Sequence, residues 1–239
     1  MDLFDKQWAS YRAVVEHDLM EHQAVAAATA AALEAWLARR PANAAAPRLV
    51  DLGCGDLALL APLLRRLPLG CYTGLDLTPA VLPLAEAALG PVPYPTHWQE
   101  GDLLAWAMAA AATDHASAPV QIIHSAFAVH HLSDGQKTEF LTAARRRVAS
   151  DGLLIWADVF REPGESLAAY RQRYSQRIRQ GWGALRPEQQ DQVIDHLSSF
   201  DIPAERVAIE AAAQAAGWHW HWAWQGQHRA EALAVLTPA

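Results

Sequence analysis

The chain has 239 residues, of which 52% are hydrophobic and 19% are charged, and its formal net charge is −7 at pH 7. This composition excludes a disordered chain, and the acidic balance argues against a general nucleic-acid or membrane-surface binder. The first residues show no signal-peptide pattern and no apolar run reaches the roughly 20 residues of a membrane span. Two cysteines give neither a disulfide framework nor a zinc pattern. We therefore expect a cytoplasmic protein with one large core.

Apolar periodicity predicts a helical start followed by strands and helices in alternation. Residues 1–40 carry a helical apolar stripe with a break near His17 and Asp18. Strands are expected at 48–52, 71–75, 97–99, 120–124, 153–157, 218–224 and 230–236. Helices are expected between them at 57–67, 79–89, 133–149, 163–200 (with a break at 181–183) and 204–216. The expected fold class is α/β, a Rossmann-like three-layer sandwich with a seven-stranded, mostly parallel sheet. An antiparallel C-terminal hairpin closes the sheet, and an N-terminal helical cap covers it.

The residues that follow each strand are the candidates for ligand binding, because ligands in doubly wound sheets lie beyond the carboxyl ends of the strands. The first strand runs into LVDLGCGDLALL, a tight glycine turn. Asp76 closes the second strand, where an acid accepts hydrogen bonds from a ribose diol. Asp102 follows the third strand and can take an adenine amino group, and Asp51 can face an ammonium group. Together these positions describe an adenosine that carries an amino acid.

The motifs that carry this pattern resemble those of one enzyme family. DLGCG, YTGLDLTP, EGDLL, IIHSAFAVHHLSD and GLLIWADVF follow one another between residues 48 and 160. Their order resembles the class I S-adenosylmethionine-dependent methyltransferases, in particular those that act on small molecules. The resemblance implies methyl transfer from S-adenosylmethionine to an oxygen, nitrogen or sulfur atom of a small metabolite, with S-adenosylhomocysteine as the product.

The resemblance also assigns site residues and parts of the chain. The residues implied to bind the cofactor are Asp51, Gly53, Cys54, Gly55, Asp76, Leu77, Asp102, Leu103, Ser125 and Ala126. A single domain is expected over residues 1–239, made of a cap (1–40), a cofactor-binding core (44–160), a helical insertion over the substrate (161–203) and a closing helix and hairpin (204–239). The sequence departs from the family where many relatives have a further glycine, because Asp56 and Leu57 follow the second glycine here.

Two alternatives stay open. The turn also satisfies G-x-G-x-x-A with Asp76 at dinucleotide spacing, which fits an NAD(P)-dependent oxidoreductase. Against it, the carboxylates of Asp51 and Asp56 would repel a pyrophosphate but not a positively charged methionyl group. The other alternative is a relative that binds S-adenosylmethionine without catalysis.

A second set of residues is expected to act on the acceptor. His130, in AVHHLSD, and Tyr11 are the catalytic candidates, and the expected substrate contacts are Trp8, Arg12, Phe127, Tyr170 and Tyr174. Trp8, Tyr11 and Arg12 share one helix face and form a lid in this reading. Adjacent histidines point apart on a regular backbone, so His130 and His131 are not expected to chelate, and no metal is predicted. The expected partner is a small-molecule acceptor, and no binding to nucleic acid or membrane is expected. The chain is expected to be a monomer or a homodimer.

Overall fold

The computed structural model describes residues 3–109 and 120–239, with side chains from residue 10 onward in those ranges. The strands are β1 (Arg48–Leu52), β2 (Cys71–Asp76), β3 (Thr96–Glu100), β4 (Val120–Ala126), β5 (Val148–Arg161), β6 (Ala204–Glu205), β7 (Trp218–Gln225) and β8 (Glu231–Pro238). The helices are α1 (Leu3–Glu16), α2 (His22–Ala38), α3 (Ala61–Leu64), α4 (Leu82–Leu89), α5 (Leu103–Met108), α6 (Asp134–Arg147), α7 (Leu167–Gly181), α8 (Pro187–Phe200) and α9 (Arg206–Ala215).

The strands form one mixed sheet in the order β3-β2-β1-β4-β5-β8-β7, and the two-residue β6 pairs with β5. The pairs from β3 to β5 are parallel, and β8 runs antiparallel to both β5 and β7. The order reverses between β1 and β4, so the carboxyl ends of these two strands flank the crevice in which such sheets bind ligands. The predicted fold class is confirmed.

Helices cover both faces of the sheet. One face packs against α5, α6 and α9, and the other packs against α2, α3 and α4. A third cluster joins α1 to α7, α8 and the end of β5, through buried residues such as Val14, Val159 and Leu197. The N-terminal helix therefore rests on the helices of the 161–203 segment. The division of the chain into one domain with four parts stays a prediction.

Several elements differ in extent from the sequence-based expectation. The helix expected at 57–67 shrinks to the four residues of α3, because Leu57 has a positive φ of 56° and interrupts any helix there. The strand expected at 153–157 extends to the full length of β5, and α5 was not expected. The break near His17 and Asp18 is confirmed, since α1 ends at Glu16 and a turn precedes α2.

The tryptophans of β7 divide between the two faces of the sheet. Trp218, Trp220 and Trp222 pack against the α9 side, as period-two alternation predicts. Trp224 packs against the α2 side, because the register with β8 shifts between Trp222 and Trp224. The bulge therefore redirects the last tryptophan to the opposite face.

A buried ion pair ties α7 to β8. The Glu231 side chain is fully buried, and its Oε1 accepts hydrogen bonds from the Tyr174 hydroxyl at 2.7 Å and from Nη1 of Arg177 at 2.6 Å. Arg177 also donates to the carbonyl of Leu19, at 2.8 Å. One arginine thus connects the insertion, the hairpin and the turn between α1 and α2.

We expect Arg177→Met to lower the free energy of unfolding by about 3–5 kcal/mol, because it leaves the Glu231 carboxylate buried and unpaired. Arg179→Met is the matched control on the same helix. Arg179 pairs with Asp191 at the surface, where the two side chains are 46% and 58% exposed, so its loss should cost less than about 1 kcal/mol. Urea unfolding of both variants measures the difference, and equal effects would contradict the structural role of the buried pair.

Candidate functional site

The glycine turn after β1 is fastened to the end of β2. The backbone N–H groups of Gly53 and Cys54 both donate to the carbonyl of Leu75, at 2.8 and 3.0 Å. Gly53 and Gly55 have positive φ angles of 76° and 55°, which glycine adopts without a steric penalty. A Cβ on Gly53 would lie 2.5 Å from Cβ of Ala128, so only glycine fits against the segment that follows β4.

Asp76, the last residue of β2, also holds the glycine turn in place. One of its carboxylate oxygens accepts a hydrogen bond from the backbone N–H of Gly55 at 2.9 Å, and the other accepts one from Thr78 at 2.8 Å. Each oxygen keeps acceptor capacity, since a carboxylate offers about four acceptor positions. Asp76 therefore lies at the crevice with room to accept from a ligand hydroxyl. Its predicted ribose role stays a prediction.

Asp51 lies beneath the turn. It is 1% exposed, and its two carboxylate oxygens take hydrogen bonds from the Tyr72 hydroxyl at 3.0 Å and from Nδ1 of His124 at 2.6 Å. The sequence did not single out either partner. In this structure the carboxylate does not lie open to the crevice, so direct contact with a ligand ammonium, as predicted, would require one of these partners to be shared or displaced.

Cys54 is a buried packing residue in the turn. Burial raises the pKa of its thiol far above the ordinary value, and the carboxylates of Asp51 and Asp76 raise it further. The thiol therefore stays protonated and does not act as a nucleophile. Its predicted place in the cofactor site stays a prediction.

The other residues predicted to bind the cofactor lie at the ends of β2, β3 and β4. Leu77 is 66% exposed, which leaves an apolar surface next to Asp76. The Asp102 side chain caps α5 by accepting from the backbone N–H of Ala105 at 2.7 Å, and Leu103 behind it is buried. The Ser125 hydroxyl donates to the carbonyl of Leu52 at 2.7 Å, so this side chain joins β4 to β1. The backbone contacts to the cofactor that were expected of Ser125 and Ala126 stay a prediction.

The N-terminal helix reaches the glycine turn through Tyr11. Its hydroxyl oxygen would lie 3.8 Å from a Cβ built on Gly55, although the residue as a whole is 43% exposed. Burial of the hydroxyl raises its pKa well above the ordinary value, and the carboxylates of Asp56 and Asp76 raise it further. Tyr11 is therefore a protonated hydrogen-bond donor at the mouth of the turn.

The other expected acceptor contacts are spread over several environments. Arg12 is exposed on α1, and the side chain of Trp8 lies outside the described residues. Phe127 directly follows β4 and has a φ of 53°, and its ring lies 5.0 Å from that of His22. Tyr170 and Tyr174 are 0% and 3% exposed and stack on each other within the third core cluster. As the structure stands, neither tyrosine has an open face for a substrate, which corrects their expected position.

His130 is held by carboxylates on both sides. Its Nδ1 lies 2.5 Å from Oδ1 of Asp158, and its Nε2 lies 3.5 Å from Oδ1 of Asp201. Burial alone lowers the pKa of His130, but the two carboxylates outweigh burial and hold the pKa above its ordinary value. Burial alone raises the pKa of Asp158, and His130 outweighs it, so that this pKa lies below its ordinary value. Both ring nitrogens of His130 thus face acids.

The sequence analysis did not identify three residues of this cluster, and it misjudged the orientation of a fourth, His131. Asp158, His196 and Asp201 were not singled out, although Asp158 gave a signal as the only acid in the apolar run GLLIWADVF. The expectation that His130 and His131 point apart is wrong. They lie on a 3-10 turn (Val129–His131), which brings their ring centroids to 4.0 Å and directs both towards Asp201.

Comparison with known proteins adds the following. Residues 49–152 match the family model described as methyltransferase domain, and no curated protein sequence matches the chain. The chain spans only about half the length of some solved structures that it resembles, 57% of a cyclopropane synthase from Mycobacterium tuberculosis and 48% of human N-acetylserotonin methyltransferase. Within the described residues, we find no helix that is both long and apolar enough to span a bilayer.

Other solved structures match the whole chain. Magnesium protoporphyrin IX methyltransferase from Synechocystis PCC 6803, with bound S-adenosylhomocysteine, has a TM-score of 0.63 at 15% identity, over 99% of this chain and 94% of that one. An amino pentose methyltransferase from Micromonospora echinaspora, with bound S-adenosylmethionine, has a TM-score of 0.58 at 19% identity. This match covers 100% of this chain and 98% of that one. A putative methyltransferase of Haloferax volcanii, in complex with the activator Trm112, has a TM-score of 0.60 at 17% identity. That match covers 100% of this chain and 98% of the other. At these identities the likeness shows a shared fold.

The two glycines of the turn should respond differently to alanine. Gly55→Ala should cost about 1–2 kcal/mol of stability, from the left-handed backbone alone, and should weaken ligand binding because its Cβ projects towards the Tyr11 hydroxyl. Gly53→Ala should cost about 2–5 kcal/mol of stability, because the cost of displacing Ala128 adds to the cost of the left-handed backbone. Urea unfolding measures both values. If Gly55→Ala proves the more damaging to the fold, the position of the Ala128 segment is incorrect.

Proposed function

We propose that the chain is a class I S-adenosylmethionine-dependent methyltransferase, and that it transfers the methyl group of S-adenosylmethionine to an oxygen, nitrogen or sulfur atom of a small-molecule acceptor. The observation that carries the proposal is the arrangement at the carboxyl edge of the sheet. There the glycine turn, Asp76 and Asp102 follow three neighbouring strands within the segment that matches the methyltransferase domain.

The residues at this edge fit the parts of the cofactor. Asp76 has acceptor capacity left for the ribose hydroxyls, Leu77 offers an exposed apolar surface to the adenine, and Asp102 offers its second oxygen to the adenine amino group. The positive φ of Gly55 keeps the turn free of a side chain on the ligand side. Bound S-adenosylmethionine supplies an electrophilic methyl group on a sulfonium.

The protein's own contribution is to position the two reactants and to exclude water. An acceptor lone pair forms the new bond to the methyl carbon as the carbon–sulfur bond breaks, which requires an in-line approach. Tyr11, on α1, lies where it can cover the turn, and α1 rests on α7 and α8. A closed helix over the turn would shield the reacting atoms, a step that commonly limits turnover.

A general base is needed only for an acceptor that keeps its proton at working pH. His130, the base expected from the sequence, has both ring nitrogens directed at carboxylates. We therefore propose that catalysis depends on positioning by the turn and by α1. His130 contributes through the architecture of the loop that follows β4.

The geometry of the turn argues against the oxidoreductase alternative. A dinucleotide pyrophosphate binds where a helix begins directly after the glycine turn. Here residues 56–60 intervene before α3, and that helix has only four residues. The backbone N–H of Gly55, which a phosphate would need, is taken by the Asp76 carboxylate.

The proposal is tested by calorimetry and by a methyl-transfer screen. The purified protein should bind S-adenosylhomocysteine and should not bind NAD, and a methyl-labelled donor should label an acceptor in a pool of small metabolites. Tight NAD binding without a response to S-adenosylhomocysteine would overturn the family-based cofactor. Cofactor binding without labelling of any acceptor would favour the non-catalytic alternative.

Asp76→Asn should weaken S-adenosylhomocysteine binding about ten- to a hundredfold, because a hydrogen bond to a charged acceptor is worth about 1.5–3 kcal/mol. Asp56→Asn is the matched control, since Asp56 lies in the same turn and its carboxylate caps the N–H of Ala58. Calorimetry gives the affinities, and urea unfolding separates a loss of binding from a loss of fold. Equal affinities for the two variants would remove the ribose role of Asp76.

Tyr11→Phe should lower the affinity for S-adenosylhomocysteine roughly two- to tenfold, the value of one neutral hydrogen bond, because the hydroxyl lies next to Gly55. Glu16→Gln, an exposed change on the same helix, should leave affinity and turnover unchanged. Steady-state kinetics complete the test. A fall in turnover at constant affinity would place the hydroxyl on the acceptor instead, and no change in either would reduce α1 to packing.

A further inference from the structure

Three histidines and one aspartate converge beside the carboxyl edge of the sheet. They come from three separate places, since His130 and His131 lie on the 3-10 turn after β4, His196 lies in α8, and Asp201 follows α8. One atom, Oδ1 of Asp201, lies 3.5 Å from Nε2 of His130, 3.5 Å from Nδ1 of His131 and 3.4 Å from Nε2 of His196. The cluster therefore joins residues up to 71 positions apart in the sequence (201 − 130) and is not a local motif.

These separations are too long for hydrogen bonds and suit shared coordination. Oδ1 of Asp201 is buried and has no hydrogen-bond partner among the described residues, and Asp201 as a whole is 9% exposed. Hydrogen bonds to oxygen span about 2.7–3.2 Å. Donor atoms that each lie about 2.1 Å from a tetrahedral ion lie about 3.4 Å from one another. The three nitrogen–oxygen distances match that second value.

His130 also has the support that a metal-bound histidine requires. A ligating imidazole usually donates its other ring N–H to a carboxylate, which fixes the tautomer and the ring orientation. Nδ1 of His130 lies 2.5 Å from Oδ1 of Asp158. Asp158 is itself fixed, because it accepts from Nε1 of Trp156 and from the backbone N–H groups of His130 and Val159. The Nε2 lone pair is thereby directed at the Asp201 side.

Backbone contacts hold the two halves of the cluster together. The N–H of Ile202 donates to the carbonyl of His130 at 2.9 Å. The fully buried Lys137 donates from Nζ to the carbonyls of Leu132 and Ile202. Asp201 therefore has a fixed position relative to the histidine pair, and the ligand atoms of His130, His131 and Asp201 all lie within 4.8 Å of one another.

We propose that His130, His131 and Asp201 bind one divalent transition-metal ion of the zinc type, with a water molecule as the fourth ligand. Imidazole nitrogen with one carboxylate oxygen suits zinc, cobalt and related ions. Magnesium and calcium prefer ligand sets made of oxygen alone. The site stands apart from the proposed function, because ion binding can be measured without cofactor, acceptor or turnover.

The test uses the full chain without a polyhistidine tag, freed of metal by a chelator and titrated with Co²⁺. We expect one Co²⁺ per chain, with the strong visible absorption of a four-coordinate ion, displacement by Zn²⁺, a rise in the melting temperature with Zn²⁺, and no response to Mg²⁺. His131→Gln and Asp201→Asn should each weaken Co²⁺ binding at least tenfold. His131 has a side chain that is 43% exposed, so its variant should fold even if Asp201→Asn does not.

A control separates this site from other histidines. His219 and His221 lie two residues apart on the edge strand β7, are exposed, and form the obvious alternative pair. The double variant His219→Ala/His221→Ala should keep the Co²⁺ spectrum and affinity of the parent. The proposal is overturned if the parent binds no Co²⁺ up to millimolar concentration. It is equally overturned if binding survives His131→Gln unchanged or disappears in the His219/His221 variant.

Discussion

The fastening of the glycine turn to the end of β2 is the constraint on which the candidate site depends. Three consecutive backbone N–H groups of the turn, from Gly53 to Gly55, are satisfied by the carbonyl of Leu75 and the carboxylate of Asp76. This places Asp76, the proposed ribose-binding acid, and the turn in one rigid unit. The segment after β4 then packs against the turn through Ala128, which leaves no space for a Cβ at Gly53.

From Ala128 the chain leads within three residues to the histidine cluster. The close packing at Gly53 therefore fixes two features at once, the floor of the crevice and the start of the 3-10 turn that carries His130 and His131. The far side of that turn is fixed by Asp158 in β5 and by the hydrogen bond from Ile202. The 161–203 segment thus joins the site through its last residues, where its helix α8 ends.

Leu57 shows how this chain accommodates its departure from the glycine-rich pattern. The residue takes a φ of 56° with a side chain that is only 3% exposed. A left-handed backbone costs a leucine about 1–2 kcal/mol relative to a right-handed one, and burial of its side chain is worth about 1.5–3 kcal/mol. Burial of the side chain therefore offsets the backbone strain, and α3 begins only at Ala61, after this left-handed residue.

Much of the fold could be predicted from the sequence, because its signals are local. Period-two runs and glycine turns identify the strands of the sheet. The crevice is identified by Asp76, which closes β2, and Asp102, which follows β3. The misjudged parts depend on contacts between distant residues. Tyr170 and Tyr174 were expected in a substrate pocket because they lie on a polar helix. Both are buried instead, and the Tyr174 hydroxyl donates to the buried Glu231 carboxylate. Asp201 carries no local signal, since only the packing of α8 brings it to the histidines.

The electrostatics of the turn explain why a cationic ligand suits it better than a phosphate. The pKa values of the Cys54 thiol and the Tyr11 hydroxyl are both raised, chiefly by burial. Nearby carboxylates raise them further: Asp51, Asp76 and Asp56 act on Cys54, and Asp56 and Asp76 act on Tyr11. Two chemically different groups on two different elements therefore experience the same negative field. Such a field opposes a pyrophosphate and favours a sulfonium, and the neutral, protonated Tyr11 adds a donor without adding charge. The charge of the crevice and the hydrogen bonds that shape it thus arise from the same carboxylates.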